Sequence, residues 1–239
     1  FLDKDIDELA AAPRKSFKAF DFFNKKIKRE EAAISRTDIQ GKLNIPAPYY
    51  IGRNYTQIVL EAFDVGECTA QNQPMSGRVV VPVYDEEYNY VGCVGRAIKE
   101  HIKPKWLHSQ GFKKNVLYGL NLAKEEIMKT GTVFLVEGQG DVWRLHEAGI
   151  TSAVGIFGCS INEDQLILLE QSGALNVVVL TDYDDAGNKA ANQIVKMCGR
   201  RFNYVRPEMI DGVKDVGDLT IQQIKEFLYP QLKGFTNEN

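Results

Sequence analysis

The sequence predicts an α/β protein: an α+β first half, then a parallel sheet flanked by helices. Three observations carry this. From Gly131 onward, short apolar runs alternate with amphipathic helical segments, the pattern of a parallel sheet covered on both faces. Between Gly77 and Arg96, two β-rich runs flank a polar turn at Asp85 to Asn89, which reads as a hairpin. With 239 residues, 44% of them apolar, the chain can bury a sizeable core as one large domain or two intimate ones. We expect two, residues 1–130 and 131–239.

Taken in order, residues 2 to 36 are rich in Lys, Glu and Ala, with Ile6, Leu9, Phe17, Phe20 and Ile27 at helical spacing. They predict one or two helices broken near Pro13. Pro46-Ala-Pro48 ends that segment, and Ile58, Leu60, Phe63 and Val65 suggest a helix and a turn before Gly66. After the hairpin comes a loose basic segment, Lys99 to Lys114, and a helix over Val116 to Lys129. The second half then reads as strand Thr132–Val136, helix Asp141–Glu147, strand Ser152–Ile156 and helix Asn162–Glu170. Strand Asn176–Leu180, helix Ala186–Met197 and strand Phe202–Val205 follow, with a loose tail after Leu232.

Composition narrows the function. No apolar run approaches the roughly 18 residues of a membrane span, and the charged start Phe-Leu-Asp-Lys-Asp is unlike a signal peptide, so we expect a cytoplasmic protein without membrane contact. Cys68, Cys93, Cys159 and Cys198 form no Cys-x-x-Cys pair and match none of the three histidines at zinc-ligand spacing, so zinc is not expected here. The net charge of −3 hides an asymmetry. Residues 1–130 hold 20 basic and 17 acidic side chains, net +3, whereas residues 131–239 hold 9 and 15, net −6. A basic lobe beside an acidic one suits a surface for phosphates next to a pocket for divalent metals; chance variation on solvated faces gives the same split.

Three acidic groups follow predicted strands, where open α/β sheets bind their ligands. They are Glu137 and Asp141 in Val-Glu-Gly-Gln-Gly-Asp, Asp182 and Asp184 in Leu-Thr-Asp-Tyr-Asp-Asp-Ala-Gly, and Asp215 and Asp218 in Val-Lys-Asp-Val-Gly-Asp-Leu. Carboxylates gathered around one crevice repel unless a cation neutralises them, and oxygen-only ligands favour Mg²⁺ or Mn²⁺. Asp182 and Asp184, alternate residues just past a strand, point the same way. Glu137 can serve as a ligand or a general base. The competing role for any one acid is a helix cap, and Asp141 and Asp164 sit where N-caps belong. Gly138 and Gly140 allow a tight backbone turn beside a phosphate.

At these residues the chain resembles the TOPRIM domain of DnaG-type primases, topoisomerases and certain nucleases. That domain has a Rossmann-like sheet, a glutamate in E-G-x-x-D and a later D-x-D, matched by Glu137, Asp141, Asp182 and Asp184. The fold alone does not choose among those activities. The upstream half is similar to the basic subdomain of DnaG-type primases. Gly-Arg78-Val-Val-Val-Pro-Val-Tyr-Asp resembles G-R-I-x-F-P-I-x-D, and Val-Gly-Cys-Val-Gly-Arg96 resembles G-F-G-G-R. Pro-Lys105-Trp-Leu-His-Ser resembles P-K-Y-L-N-S, and Phe-Lys113-Lys114-Asn-Val-Leu-Tyr-Gly-Leu resembles F-x-K ending in L-Y-G-L. The similarity runs from about Tyr49 to Leu219. The family's D-P-D reads Asp215-Val-Gly-Asp218 here.

The resemblance implies the catalytic core of a DNA primase, of a phage type, making RNA primers on single-stranded DNA from ribonucleoside triphosphates. One or two Mg²⁺ or Mn²⁺ ions would be held by Glu137, Asp182 and Asp184, supported by Asp215 or Asp218, with Asp141 auxiliary. Arg78, Arg96, Lys105 and one of Lys113 or Lys114 would bind nucleotide and template. Trp106 and Tyr118 could stack on bases, although core packing is the expected role for each. A replicative helicase would be met through other regions, and a phage enzyme would work in the host cytoplasm. The rival readings are a TOPRIM nuclease using the same acids and a non-catalytic nucleic-acid-binding module.

Overall fold

Each half of the chain builds its own sheet. In a computed structural model, which describes residues 34–236, β1 (Leu43–Asn44), β2 (Gly66–Cys68), β3 (Arg78–Tyr84), β4 (Tyr90–Ala97) and β5 (Trp106–His108) form an antiparallel sheet in sequence order. Of the segment 2 to 36, where one or two helices are expected, residues 2–33 lie outside the described residues.

The predicted hairpin is β3–β4, running from Arg78 opposite Ala97 to Tyr84 opposite Tyr90. Its turn closes because Asp85 Oδ1 accepts from the backbone N–H groups of Glu87 (3.0 Å) and Asn89 (2.9 Å). All seven residues of β3 are buried, which explains its unbroken apolar run. Pro82 is tolerated inside this strand because β2 pairs only with Val79 and Val80, leaving β4 as the neighbour there. The segment Lys99–Lys114 is less loose than expected. Trp106 pairs with Arg96 and His108 with Val94, but three residues are too few to display strand alternation.

Two short helices, α1 (Arg36–Gln40) and α2 (Pro48–Ile51), precede α3 (Gln57–Ala62). Buried Asp64 anchors α1 to the sheet, accepting from Arg36 Nε (2.6 Å), Gln40 Nε2 (2.7 Å) and Tyr84 Oη (2.9 Å).

In the second half, β6 (Thr132–Val136), β7 (Ala153–Gly155), β8 (Asn176–Val179) and β9 (Asn203–Val205) pair in parallel in the order β7-β6-β8-β9. The helices are α4 (Leu120–Thr130), α5 (Gln139–Glu147), α6 (Glu163–Gln171) and α7 (Asp185–Cys198). Helix α4 starts four residues later than expected. Tyr118 exchanges hydrogen bonds with Gly155 at the sheet edge (2.8 and 3.0 Å), and Gly119 then turns at φ 81°. The chain leaves β6 for β7 on one side and returns to β8 on the other. The ends of β6 and β8 therefore flank the switch point where such sheets bind ligands.

One hydrophobic cluster joins the sheets, packing Val79, Val81 and Val83 of β3 together with Phe134, Val136 and Trp143 of the second half. Trp143 is fully buried, donates to Tyr118 Oη (2.8 Å) and meets Tyr50 and Tyr55 edge-on at 4.9 and 5.4 Å. Losing such a side chain costs about 3–5 kcal/mol. The described residues form one compact unit. Among the described residues no helix is long and apolar enough to cross a membrane.

Candidate functional site

The loops after β6 and β8 bring the central acids together. Glu137 directly follows β6, and its Oε1 accepts from the backbone N–H of Asp182 (3.2 Å). Asp184 is the N-cap of α7, accepting from Gly187 N–H (2.9 Å). A Cβ at Gly187 would lie 1.9 Å from Asp182 O, so glycine is what lets the helix start against the strand end. Alternation works as the spacing predicts. Asp182 Oδ2 and Asp184 Oδ2 lie 3.2 and 3.1 Å from one cation, Lys214 Nζ. Tyr183 instead donates to Pro207 O (2.6 Å) and stacks under Arg206, whose guanidinium also holds Thr181 Oγ1 (2.6 Å) and Asp182 O (3.1 Å).

The charges respond accordingly. Burial and the nearby Asp182 charge raise the Glu137 carboxyl above its ordinary value. The Gly187 N–H and the Lys214 ammonium lower that of Asp184. The two carboxylates raise the pKa of Lys214, keeping it charged.

Asp141 and Asp215 form the adjoining group. Asp141 is not an N-cap: Gly138 is, and Asp141, three residues on, accepts from Gly138 N–H (3.0 Å). Its other oxygen accepts from Gly217 N–H (3.0 Å), so Asp141 brackets the loop after β6 to the turn Val216–Asp218. Burial and the Asp215 charge push its carboxyl up to about 7. Asp215 caps that turn through Asp218 N–H (3.0 Å), and burial followed by Asp218 raises its own pKa. Asp164 is likewise no cap; Asn162 caps α6, accepting from Gln165 N–H at 2.9 Å.

These residues fit a divalent ion of the Mg²⁺ type. Asp182 and Asp184 already converge on one cationic atom, and Glu137 accepts from the backbone N–H of Asp182. Among the described residues no three acidic, His or Cys side chains close into a cage. Mg²⁺ characteristically takes one or two carboxylates and completes its shell with water and substrate phosphates.

A cleft of about 700 Å³ opens beside the bracket. Arg53, Arg96, Lys105 and Trp106 contribute from the first half, Asp141, Asp215 and Asp218 from the second; Glu137, Asp182 and Asp184 do not line it. Arg96 stacks on Tyr49 (4.6 Å) and Trp106 (5.6 Å), while its Nη1 is buried without a hydrogen-bond partner among the described residues. Burial lowers its pKa.

The other candidates divide. Trp106 is 42% exposed and thus available to a ligand, whereas Tyr118 is 2% exposed and belongs to the core. Arg78, expected to bind nucleotide or template, is 2% exposed and donates to Pro104 O (2.8 Å); it braces the sheet and does not face the cleft. Lys113 and Lys114 both stand outside the cleft lining. Both side chains are exposed, and Lys114 Nζ is tied to Phe157 O at 2.6 Å, so the two differ in their partners and not in their burial. Sequence reasoning passed over Lys214 and, in the cleft lining, Arg53 and Arg144. Only Lys214 carried a signal, a lone cation inside an acidic motif.

Comparison with known proteins follows this division of the chain. Residues 131–206 match the Toprim domain family. The DNA primase of Aquifex aeolicus is 38% identical over 166 residues, covering 68% of this chain and 32% of that protein. The crystal structure of the Aquifex aeolicus primase zinc-binding and RNA polymerase domains superposes with a TM-score of 0.67 at 28% identity, over 77% of this chain and 53% of that one.

The chain carries a Toprim domain and is similar to DnaG-type primases. It spans about a fifth to a third of the length of the curated primases it matches. The structure of a DnaG primase catalytic domain bound to single-stranded DNA shares its fold, with a TM-score of 0.62 at 21% identity over 91% of this chain and 76% of that one. The departure from D-P-D has a structural reading. A Cβ at Gly217 would meet Asp141 Oδ1 at 2.8 Å and Asp215 Oδ1 at 3.2 Å. Gly217 thus occupies the place of the motif's second carboxylate, and its backbone N–H donates to Asp141.

Proposed function

We propose that this chain is the catalytic core of a DNA primase, joining ribonucleotides into short RNA primers on single-stranded DNA. The observation that carries the reading is the convergence of Asp182 and Asp184 on one cation, beside a cleft walled by Arg96, Lys105 and Trp106. In this reading residues 1–130 and 131–239 act as two subdomains, the first supplying the basic wall and the second the acids.

Asp182 and Asp184 hold the divalent cation, Mg²⁺ or Mn²⁺, and Glu137 completes the set or takes the proton of the attacking hydroxyl; its raised pKa suits the latter. A bound ion would activate the 3′-hydroxyl and neutralise charge on the departing pyrophosphate. Asp141 keeps the loop after β6 in register with the turn that presents Asp215, which supports the site, with Asp218 on the cleft wall. Arg96, with an unsatisfied buried donor, and Lys105 take nucleotide or template phosphates, and Lys113 extends this charge outward. Trp106 offers a face to a base. Single-stranded DNA is the proposed template, ribonucleoside triphosphates the proposed substrates and the cytoplasm the proposed compartment. Contact with a replicative helicase is proposed for regions outside these residues.

The test is primer synthesis on single-stranded DNA with labelled ribonucleotides and Mg²⁺ or Mn²⁺. Labelled oligoribonucleotides from the parent chain, with at least about a hundredfold loss in Asp182→Asn and Glu137→Gln, are the expected result. Nicking of plasmid DNA without nucleotides, and no primers, would replace polymerisation by hydrolysis.

A further inference from the structure

Lys214 stands where the proposed metal would stand. Its Nζ lies 3.2 Å from Asp182 Oδ2 and 3.1 Å from Asp184 Oδ2, while its backbone O accepts from Tyr183 N–H at 2.7 Å. The backbone contact fixes the chain of Lys214 beside the D-x-D loop, yet its side chain is 56% exposed, so the ammonium can leave without moving that loop. The carboxylates have their own anchors: Gly187 N–H holds Asp184, and Arg206 and Glu137 hold the backbone of Asp182. A divalent ion within reach of both carboxylates would sit about 4 Å or less from the ammonium, where like charges repel strongly in a partly desolvated site.

We infer that Lys214 is a resident counter-ion of the divalent site: it holds Asp182 and Asp184 together when the ion is absent and competes with the ion for them. The inference rests on the metal-site reading proposed above and deepens it, because it makes Lys214 a positioning residue that sets how much free metal loads the site. Loading then requires breaking two ion pairs. A ligand that brings phosphate oxygens with the metal would give the displaced ammonium a new partner, so nucleotide-bound metal should enter more readily than the free ion.

The alternative is that Lys214 merely pins the segment 206–218 to the sheet. Calorimetric titration of Mn²⁺ into the parent chain, Lys214→Met and Lys214→Arg separates the two, with thermal melting in chelator alongside. Competition predicts that Lys214→Met binds Mn²⁺ more tightly by a factor of roughly 3 to 30, the range spanned by two partly exposed ion pairs, and that Lys214→Arg stays near the parent. Asp182→Asn should abolish the Mn²⁺ signal in either background. Mn²⁺ affinity in Lys214→Met that is unchanged or weaker would overturn the inference, whatever its melting temperature. The same preparations are assayed for primer synthesis. Primers from the parent together with unchanged affinity in Lys214→Met would reject the counter-ion while leaving the primase reading standing. Absence of Mn²⁺ binding in every chain would reject the counter-ion and the metal site together.

Discussion

Asp182, Asp184 and Trp106 show how single residues divide the work. The two aspartates face one way because alternate residues of an extended segment do, and the glycine at 187 lets a helix begin directly behind them. Trp106 is exposed because β5 is the sheet edge, with Arg96 across the strand pair rather than another strand beyond it. Trp106→Ala should raise the template or nucleotide KM by about 5- to 150-fold, equivalent to roughly 1–3 kcal/mol of lost stacking, while leaving thermal stability close to the parent. Trp106→Phe should retain most of the affinity. A melting temperature that falls sharply in Trp106→Ala would return this residue to the core.

The acids were legible in the sequence because strand ends and period-two alternation are local properties. The basic residues were less so. Arg78 looks like a surface residue at a strand start, but β4 at Gly95 and the chain at Pro104 cover it, and no local pattern announces that cover. The ambiguity between Lys113 and Lys114 likewise depended on a carbonyl at residue 157, far along the chain.

At the scale of elements, α7 and α5 carry the site and make it fragile in specific ways. Gly187→Ala would drive a methyl into the Asp182 carbonyl, so we expect a loss of about 2–3 kcal/mol in unfolding free energy and displacement of the D-x-D loop. Denaturant melts of Gly187→Ala beside Ala186→Gly would separate this clash from ordinary helix propensity.

Helix α5 also carries His146, held at about 4 by burial against Phe63, with its ring nitrogen 3.4 Å from Ala153 O. The unfolded imidazole takes its proton near 6.5, so between these values the unfolded chain binds more protons than the folded one. Stability should therefore fall by up to about 3 kcal/mol as pH drops from 6.5 toward 4, and His146→Phe should flatten that part of the profile. Most elements were visible from periodicity. Strand β5 and the delayed start of α4 were not, because a three-residue edge strand and a single bridge at Tyr118 leave no repeat to detect.

For the molecule as a whole, the charge asymmetry between the halves became two walls of one cleft, basic on the β4–β5 side and acidic on the α5 side. The hydrophobic cluster through Trp143 keeps those walls at a fixed separation, a coupling that the strand and helix pattern of either half does not reveal. If Arg96, Lys105 and Lys113 are the main phosphate contacts, the logarithm of the single-stranded DNA affinity should fall against the logarithm of salt with a slope of about −2, and Lys105→Ala should reduce it by about 0.7. Fluorescence anisotropy over a salt series would measure both.

The most direct test of the account is diffraction at the manganese edge from crystals grown with Mn²⁺ and a non-hydrolysable ribonucleoside triphosphate. The account predicts an anomalous peak about 2.0–2.2 Å from oxygens of both Asp182 and Asp184. It also predicts Lys214 turned away from them, and triphosphate oxygens against Arg96 or Lys105. Manganese held by Asp215 and Asp218 with Lys214 still seated between Asp182 and Asp184 would contradict it.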